Sequence, residues 1–183
     1  IDEAFSRQGL GLTIGQTLRY NQVITTLRNQ LPLIGTLHSF TANQRLEPPA
    51  LAWLDDPSQA GAGVSFHSAV HVFDALWPIT GLEIVRVMAQ SRCVHSARLE
   101  DHLVVLVELE NGVLGTVDCS KIGPARSGGF EFVGNQGYLY GDQVHNIAER
   151  TDGRQRIPLQ LGEPVNTIVP LLQDWCAFLQ GRG

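Results

Sequence analysis

The sequence predicts an α+β fold, a large and mostly antiparallel sheet with helices on one face, and three observations predict it. β-rich runs crowd the middle of the chain, from LEIVRVMAQSRCV through HLVVLVELENGVLGTVDCS to GGFEFVGNQGYLYGD. Asn111-Gly112 separates two of these runs, and that dipeptide favours the tight turns whose twist suits antiparallel hairpins. Helical periodicity is confined to segments on either side of this block, so the helices have one sheet to cover.

Taken in order, EAFSRQG reads as the end of a helix stopped by Gly9, and residues 10–14 as a short buried strand. LRYNQVITTLRNQ places Val23, Ile24, Leu27 and Leu31 on one helical stripe, which Pro32 closes. GTLHSFTANQR alternates Leu37, Ser39 and Thr41 with His38, Phe40 and Ala42, as a strand does. LEPPALAWLDDPSQAGAG, rich in Pro, Gly and Asp, is a long surface loop, and loops of that length are commonly functional. A helix is expected over residues 65–77, with Ser65 as its N-cap and Pro78 at its end. After the strands, with a second turn at residues 134–137, Ile168, Leu171, Leu172, Trp175, Phe178 and Leu179 mark a docked terminal helix.

The 183 residues suffice for a real core without disulfides. Composition excludes several classes. A net charge of -5 with 13 scattered basic residues does not suit a polyanion, so nucleic acid is not the expected partner. No run is apolar and long enough for a membrane span. Cys93, Cys119 and Cys176 are odd in number and widely spaced, which suggests neither a disulfide framework nor a zinc motif and points to a reducing cytoplasm. The chain opens on Ile1 with what reads as a helix tail, so it is expected to be a piece of something longer.

GVSFHSAVHVFDALWP holds the chemistry. On an α-helix, His67 and His71 stack one turn apart and Asp74 keeps the same face. An imidazole titrates near neutrality, and a carboxylate one turn away can fix its tautomer, so acid-base work by His71 is the first expectation. A metal site is the second, since two histidines four apart present two nitrogens. Ser68 stands where HExxH proteases carry Glu, however, and His95, His102 or His145 could join only through the tertiary fold. No GxSxG occurs, and GLGLTIG lacks the strand before and helix after that a dinucleotide fingerprint requires. Arg19, Tyr20, Asn43 and Trp53, in or beside loops near the proposed site, are candidates for binding substrate oxygens or stacking on a sugar face.

GAGVSFHSAVHVFDALWPITG resembles the signature of the Gfo/Idh/MocA family of NAD(P)-dependent oxidoreductases, through Gly61, Gly63, His67, Ala69, His71 and Asp74. LTIGQTLRYNQVI resembles the run into that family's C-terminal domain, ENGVLGTVDCS its Asn-Gly hairpin and FVGNQGYLY a later strand turn. The resemblance implies the C-terminal domain alone: residues 1–16 as the end of an N-terminal Rossmann domain, and residues 17–183 as a substrate-binding and oligomerisation domain truncated at its C-terminus. It implies a homodimer or tetramer through the open sheet face. It implies that His71 acts beside the substrate hydroxyl as acid-base or orienting group, with His67 and Asp74 binding substrate; position 67 is often Asp in relatives. NAD or NADP would be bound mainly by the Rossmann domain, which the chain lacks, as it lacks the family's Glu-Lys-Pro segment.

The expected function is therefore substrate binding for an NAD(P)-dependent oxidoreductase acting on a CH-OH group of a sugar, polyol or related molecule, with this chain inactive alone. The alternatives are a non-catalytic ligand-binding or dimerisation module, and a metal hydrolase using His67 and His71.

Overall fold

The β-rich runs pair into one sheet. The computed structural model describes residues 2–182, with strands β1 (Leu37–Arg45), β2 (Ile84–Arg92), β3 (His102–Leu109), β4 (Leu114–Ser120), β5 (Gly129–Gly134), β6 (Tyr138–Asp142), β7 (Ile147–Asp152) and β8 (Gln155–Pro158). They lie side by side in the order β2-β3-β4-β1-β5-β6-β7-β8. All neighbours run antiparallel except β1 and β4, whose parallel pairing joins the two halves of the sheet. Turns at Asn111-Gly112 and at residues 134–137 connect β3 to β4 and β5 to β6, as the sequence predicts.

Five α-helices accompany the sheet: α1 (Asp2–Arg7), α2 (Gln22–Gln30), α3 (Pro57–Ala60), α4 (Val70–Thr80) and α5 (Ile168–Leu179). Asn21 starts α2 by accepting a 2.8 Å bond from the Val23 amide, and Val23, Ile24 and Leu27 form its buried stripe. That stripe and Val72, Ala75, Leu76 and Ile79 of α4 meet Phe40, Val105, Val107, Val117, Phe130, Phe132 and Leu139 from one sheet face. Each of the Val, Leu, Ile and Phe side chains among them, fully removed from water, contributes about 1.5–3 kcal/mol of transfer free energy. The period-two pleat sends the intervening residues the other way. Val104 and Leu106 of β3 are exposed, as are Leu114 of β4, Met88 of β2 and Val133 of β5.

Three expectations need correction. Residues 10–14 form no strand; Leu10, Leu12 and Ile14 are exposed, and the segment lies against α5, where a Cβ on Gly11 would fall 2.9 Å from Trp175. An apolar run need not pair: here the backbone at Gly11 and Gly15 packs on α5 side chains, and the intervening side chains stay exposed. The terminal helix forms as predicted but does not dock on the core. None of its residues is buried, and Leu171, Trp175 and Phe178 face Leu12, Thr13 and Tyr20, because α2 and α4 already fill the sheet face. Finally, Pro78 lies inside α4, which runs on to Thr80 and stops at Gly81. Gly81 adopts φ +70°, the left-handed conformation that glycine enters without steric cost.

Candidate functional site

The histidine segment begins under a clamp. The Val64 amide donates to the Glu100 carbonyl at 2.8 Å. The Glu100 carboxylate accepts from the Gly63 amide at 3.0 Å, the Ser65 amide at 3.1 Å and the Ser65 hydroxyl. A Cβ on residue 63 would sit 1.9 Å from that carbonyl oxygen, so only glycine permits the approach. Burial raises the Glu100 pKa, but the bonds from Ser65 and Gly63 outweigh it and hold the carboxyl below its ordinary value. Ser65 is thus not the N-cap; it donates to one supplied from far along the chain.

The clamp opens onto a π turn, Ser65–Ala69, which precedes α4. Its i→i+5 bonding, with Val70 N–H reaching the Ser65 carbonyl, widens the turn, so residues four apart no longer stack as they do on an α-helix. His67, His71 and Asp74 accordingly do not converge. Each meets a different partner.

His67 faces a cavity of about 230 Å³ lined by Pro48, Leu51, Leu54, His95, Leu99 and Lys121, among others. Its ring stands edge-on to Trp53 at 6.3 Å and to Phe66 at 6.2 Å between centroids. The Nε2 atom is buried without a hydrogen-bond partner. Burial lowers the His67 pKa and the Lys121 charge lowers it further, against a weaker opposing bond to the Ala62 carbonyl. The carboxylates in this wall are spent on the chain itself. Asp101 accepts the Val94, His95 and Ser96 amides at 2.7 Å each. Asp55 accepts the Ser96 hydroxyl and the Ala97, Arg98 and Leu99 amides, which holds it down to about 2.

His71 opens instead on a second cavity of about 250 Å³, with Thr17, Gln44 and Gln143 on its walls. Its Nδ1 lies 2.9 Å from Gln16 Oε1. With a carbonyl oxygen as partner, Nδ1 carries the proton and Nε2 is left as an acceptor. Gln16 therefore does for the imidazole what Asp74 is expected to do from the sequence. Asp74 accepts two bonds from Arg19, at 2.8 and 2.5 Å, and the guanidinium also lies 5.8 Å from the Trp77 ring centroid.

Of the other candidates, Trp53 is beside His67, whereas Tyr20 donates to Asp174 of α5 at 2.6 Å. Asn43 falls on the sheet face away from Phe40 and Ala42, where its carbonyl accepts from the Ser127 hydroxyl at 2.7 Å. The alternation of β1 carries it away from the histidines. Sequence reasoning missed Gln16, Glu100 and Lys121. One signal was available: Lys121 is the only lysine among 13 basic residues.

Among the described residues, no three His, Cys, Asp or Glu side chains gather closely enough to hold a metal ion. Nor do they fit a dinucleotide: the single parallel pair, β1 and β4, is not joined by a Gly-rich turn into a helix N-terminus, the element that cradles a pyrophosphate. Among the described residues, no helix is long and apolar enough to cross a membrane.

An eight-stranded, mostly antiparallel sheet with helices on one face, carrying a histidine segment at the start of α4, defines a class of protein. Residues 32–140, more than half of the chain, match the GFO/IDH/MocA C-terminal domain, and the chain belongs to that family. Solved structures share the fold. An aldose-aldose oxidoreductase from Caulobacter crescentus superimposes with a TM-score of 0.85 at 17% identity, over 98% of this chain and 57% of its own. A UDP-N-acetylglucosamine 3-dehydrogenase from Acidithiobacillus ferrooxidans gives 0.78 at 17%, over 98% and 56%. An inositol dehydrogenase homolog from Azotobacter vinelandii gives 0.72 at 20%, over 83% and 44%. The chain thus spans less than two thirds of each of these proteins. No curated protein matches the sequence.

Proposed function

We propose that this chain is the substrate-binding part of an NAD(P)-dependent oxidoreductase that acts on a CH-OH group of a sugar or polyol. Family membership supports the class. The chemistry of the similar structures supports the substrate: aldose, inositol and levoglucosan enzymes are among them, one bound to glycerol, one to NAD+ and one to NADH. The observation that carries the reading in this molecule is His71, whose Nδ1 is engaged by Gln16 while Nε2 is left free to accept a proton. Oxidation of an alcohol needs its hydroxyl proton removed as the carbon gives up hydride, and a neutral imidazole suits that task at neutral pH. A bound nicotinamide would supply the hydride acceptor; the reading gives its binding mainly to a Rossmann domain, with residues 1–16 at the end of that domain and residues 17–183 in the substrate domain.

The test is a hydride-transfer assay of the intact protein on a panel of polyols and aldoses. His71→Ala should lower kcat by about 10²–10⁴. Full activity in that variant would overturn the role given to His71, and no NAD(P)-dependent turnover on any member of the panel would overturn the function.

In the same reading, a second copy of the chain covers the open face of the sheet, giving a homodimer or tetramer. Met88 and Leu106 are directly paired across β2 and β3, and Val104, Leu114 and Val133 lie on that face too, an exposed apolar surface of the kind that marks a protein interface.

A further inference from the structure

The chain uses 12 arginines and one lysine, and that lysine is in the His67 cavity. Lys121 follows β4 directly; its amide donates to the Asp101 carbonyl at 2.8 Å, and its ammonium forms no ion pair or hydrogen bond among the described residues. Burial holds its ammonium below the usual lysine range, against the raising effect of the Glu100 charge. A solvated surface cation has no need of such a place.

Most of the cavity's other polar groups are already committed. Asp55 and Asp101 are saturated by backbone amides, one Glu100 oxygen takes three donors, and His95 Nε2 is 3.0 Å from the Ile122 carbonyl. What remains is the second Glu100 oxygen, an acceptor whose charge already acts on Lys121, together with Lys121 Nζ, a donor only, and His67 Nε2, buried and without a partner. In the tautomer that turns the Nδ1 proton toward the Ala62 backbone, the neutral ring presents Nε2 as an acceptor. A donor and an acceptor facing one space match a group that both accepts and donates, which is a hydroxyl. Three carboxylates in the wall disfavour an anionic ligand, and about 230 Å³ suits a monosaccharide-sized molecule better than a nucleotide.

We propose that Lys121 and His67 bind one hydroxyl of a sugar or polyol between them, the ammonium donating to its oxygen and the imidazole Nε2 accepting its proton, so that this cavity selects the substrate. The inference rests on the oxidoreductase reading for its ligand class and assigns Lys121 a specificity role in the same reaction. A hydroxyl lost from the ligand would leave both groups buried and unsatisfied, which is the kind of penalty that discriminates between sugars.

A single lysine makes the test direct. In the chain labelled with 13C-lysine and 13C-histidine, myo-inositol or glucose should move the lysine signal and the His67 ring signal along one saturation curve. Lys121→Met should weaken the His67 response about tenfold or more, the worth of a charge-assisted hydrogen bond. Movement of the His71 signal with Lys121 and His67 silent overturns the subsite and leaves the oxidoreductase reading intact. Acetate moving the lysine signal as strongly as the polyols at equal concentration also overturns it, because the lysine would then be reading charge. Silence of every signal overturns it as well, while the function itself stands or falls on the hydride-transfer assay.

Discussion

Glu100 connects the stability of the molecule to the geometry of its site, and replacing it tests that connection. Glu100→Ala removes the acceptor of the Gly63 and Ser65 amides and of the Ser65 hydroxyl. Bonds to a charged acceptor are worth about 1.5–3 kcal/mol each when buried, but they are not additive, and a half-buried site lets water replace part of the loss. Losing a helix cap costs about 0.5–2 kcal/mol by itself. The expected cost is about 2–4 kcal/mol for Glu100→Ala and about half that for Glu100→Gln, which keeps one carbonyl acceptor. With a urea m-value of about 2 kcal/mol/M, the midpoint for Glu100→Ala should fall by about 1–2 M. The pH dependence has a definite sign. The folded pKa of Glu100 is lowered, so its contribution is fully present above the unfolded value of about 4.3 and is lost as pH falls below that value and through the folded one. Glu100→Gln should remove that part of the acid sensitivity. A midpoint within about 0.2 M of the parent, equivalent to about 0.4 kcal/mol, would refute the clamp.

Asp142 is buried and accepts the Gly128, Val144 and His145 amides, so Asp142→Asn should cost about 2–3 kcal/mol in the same urea assay. Cys93 and Cys176 are exposed, whereas burial pushes the Cys119 thiol up to about 12; a thiol reagent at neutral pH should label the first two in the native state and Cys119 only on unfolding. Leu106→Glu places a charge in the middle of the open sheet face and should shift light scattering from an oligomer to a monomer; an unchanged mass, or a monomeric parent, counts against that interface.

Much of the fold was legible because strands and amphipathic helices announce themselves locally. The hairpin at Asn111-Gly112 and the buried stripe of Val23, Ile24 and Leu27 both follow from residues a few positions apart. The π turn was not legible, since it depends on a clamp by Glu100, a residue in another part of the chain. An α-helical period projected through Ser65–Ala69 therefore put His67, His71 and Asp74 on one face, and the structure separates them. Asp74 looked like the partner of an imidazole because it lies one turn away; Arg19, distant in sequence, takes it instead. Residues 10–14 show the same limit, for an apolar run does not by itself say whether it pairs as a strand or lies unpaired against a helix. Likewise, Lys121 and His67 are brought to one cavity only by tertiary structure.

The wide turn at Ser65–Ala69 also divides labour in a way that a regular helix could not. Beyond it, α4 is anchored in the core through Val72, Ala75, Leu76 and Ile79, which keeps His71 at a constant depth against the sheet. Before it, His67 looks into a chamber walled by loops. Under the proposed function, side chains on those loops can be exchanged to suit another ligand without retuning the His71 imidazole.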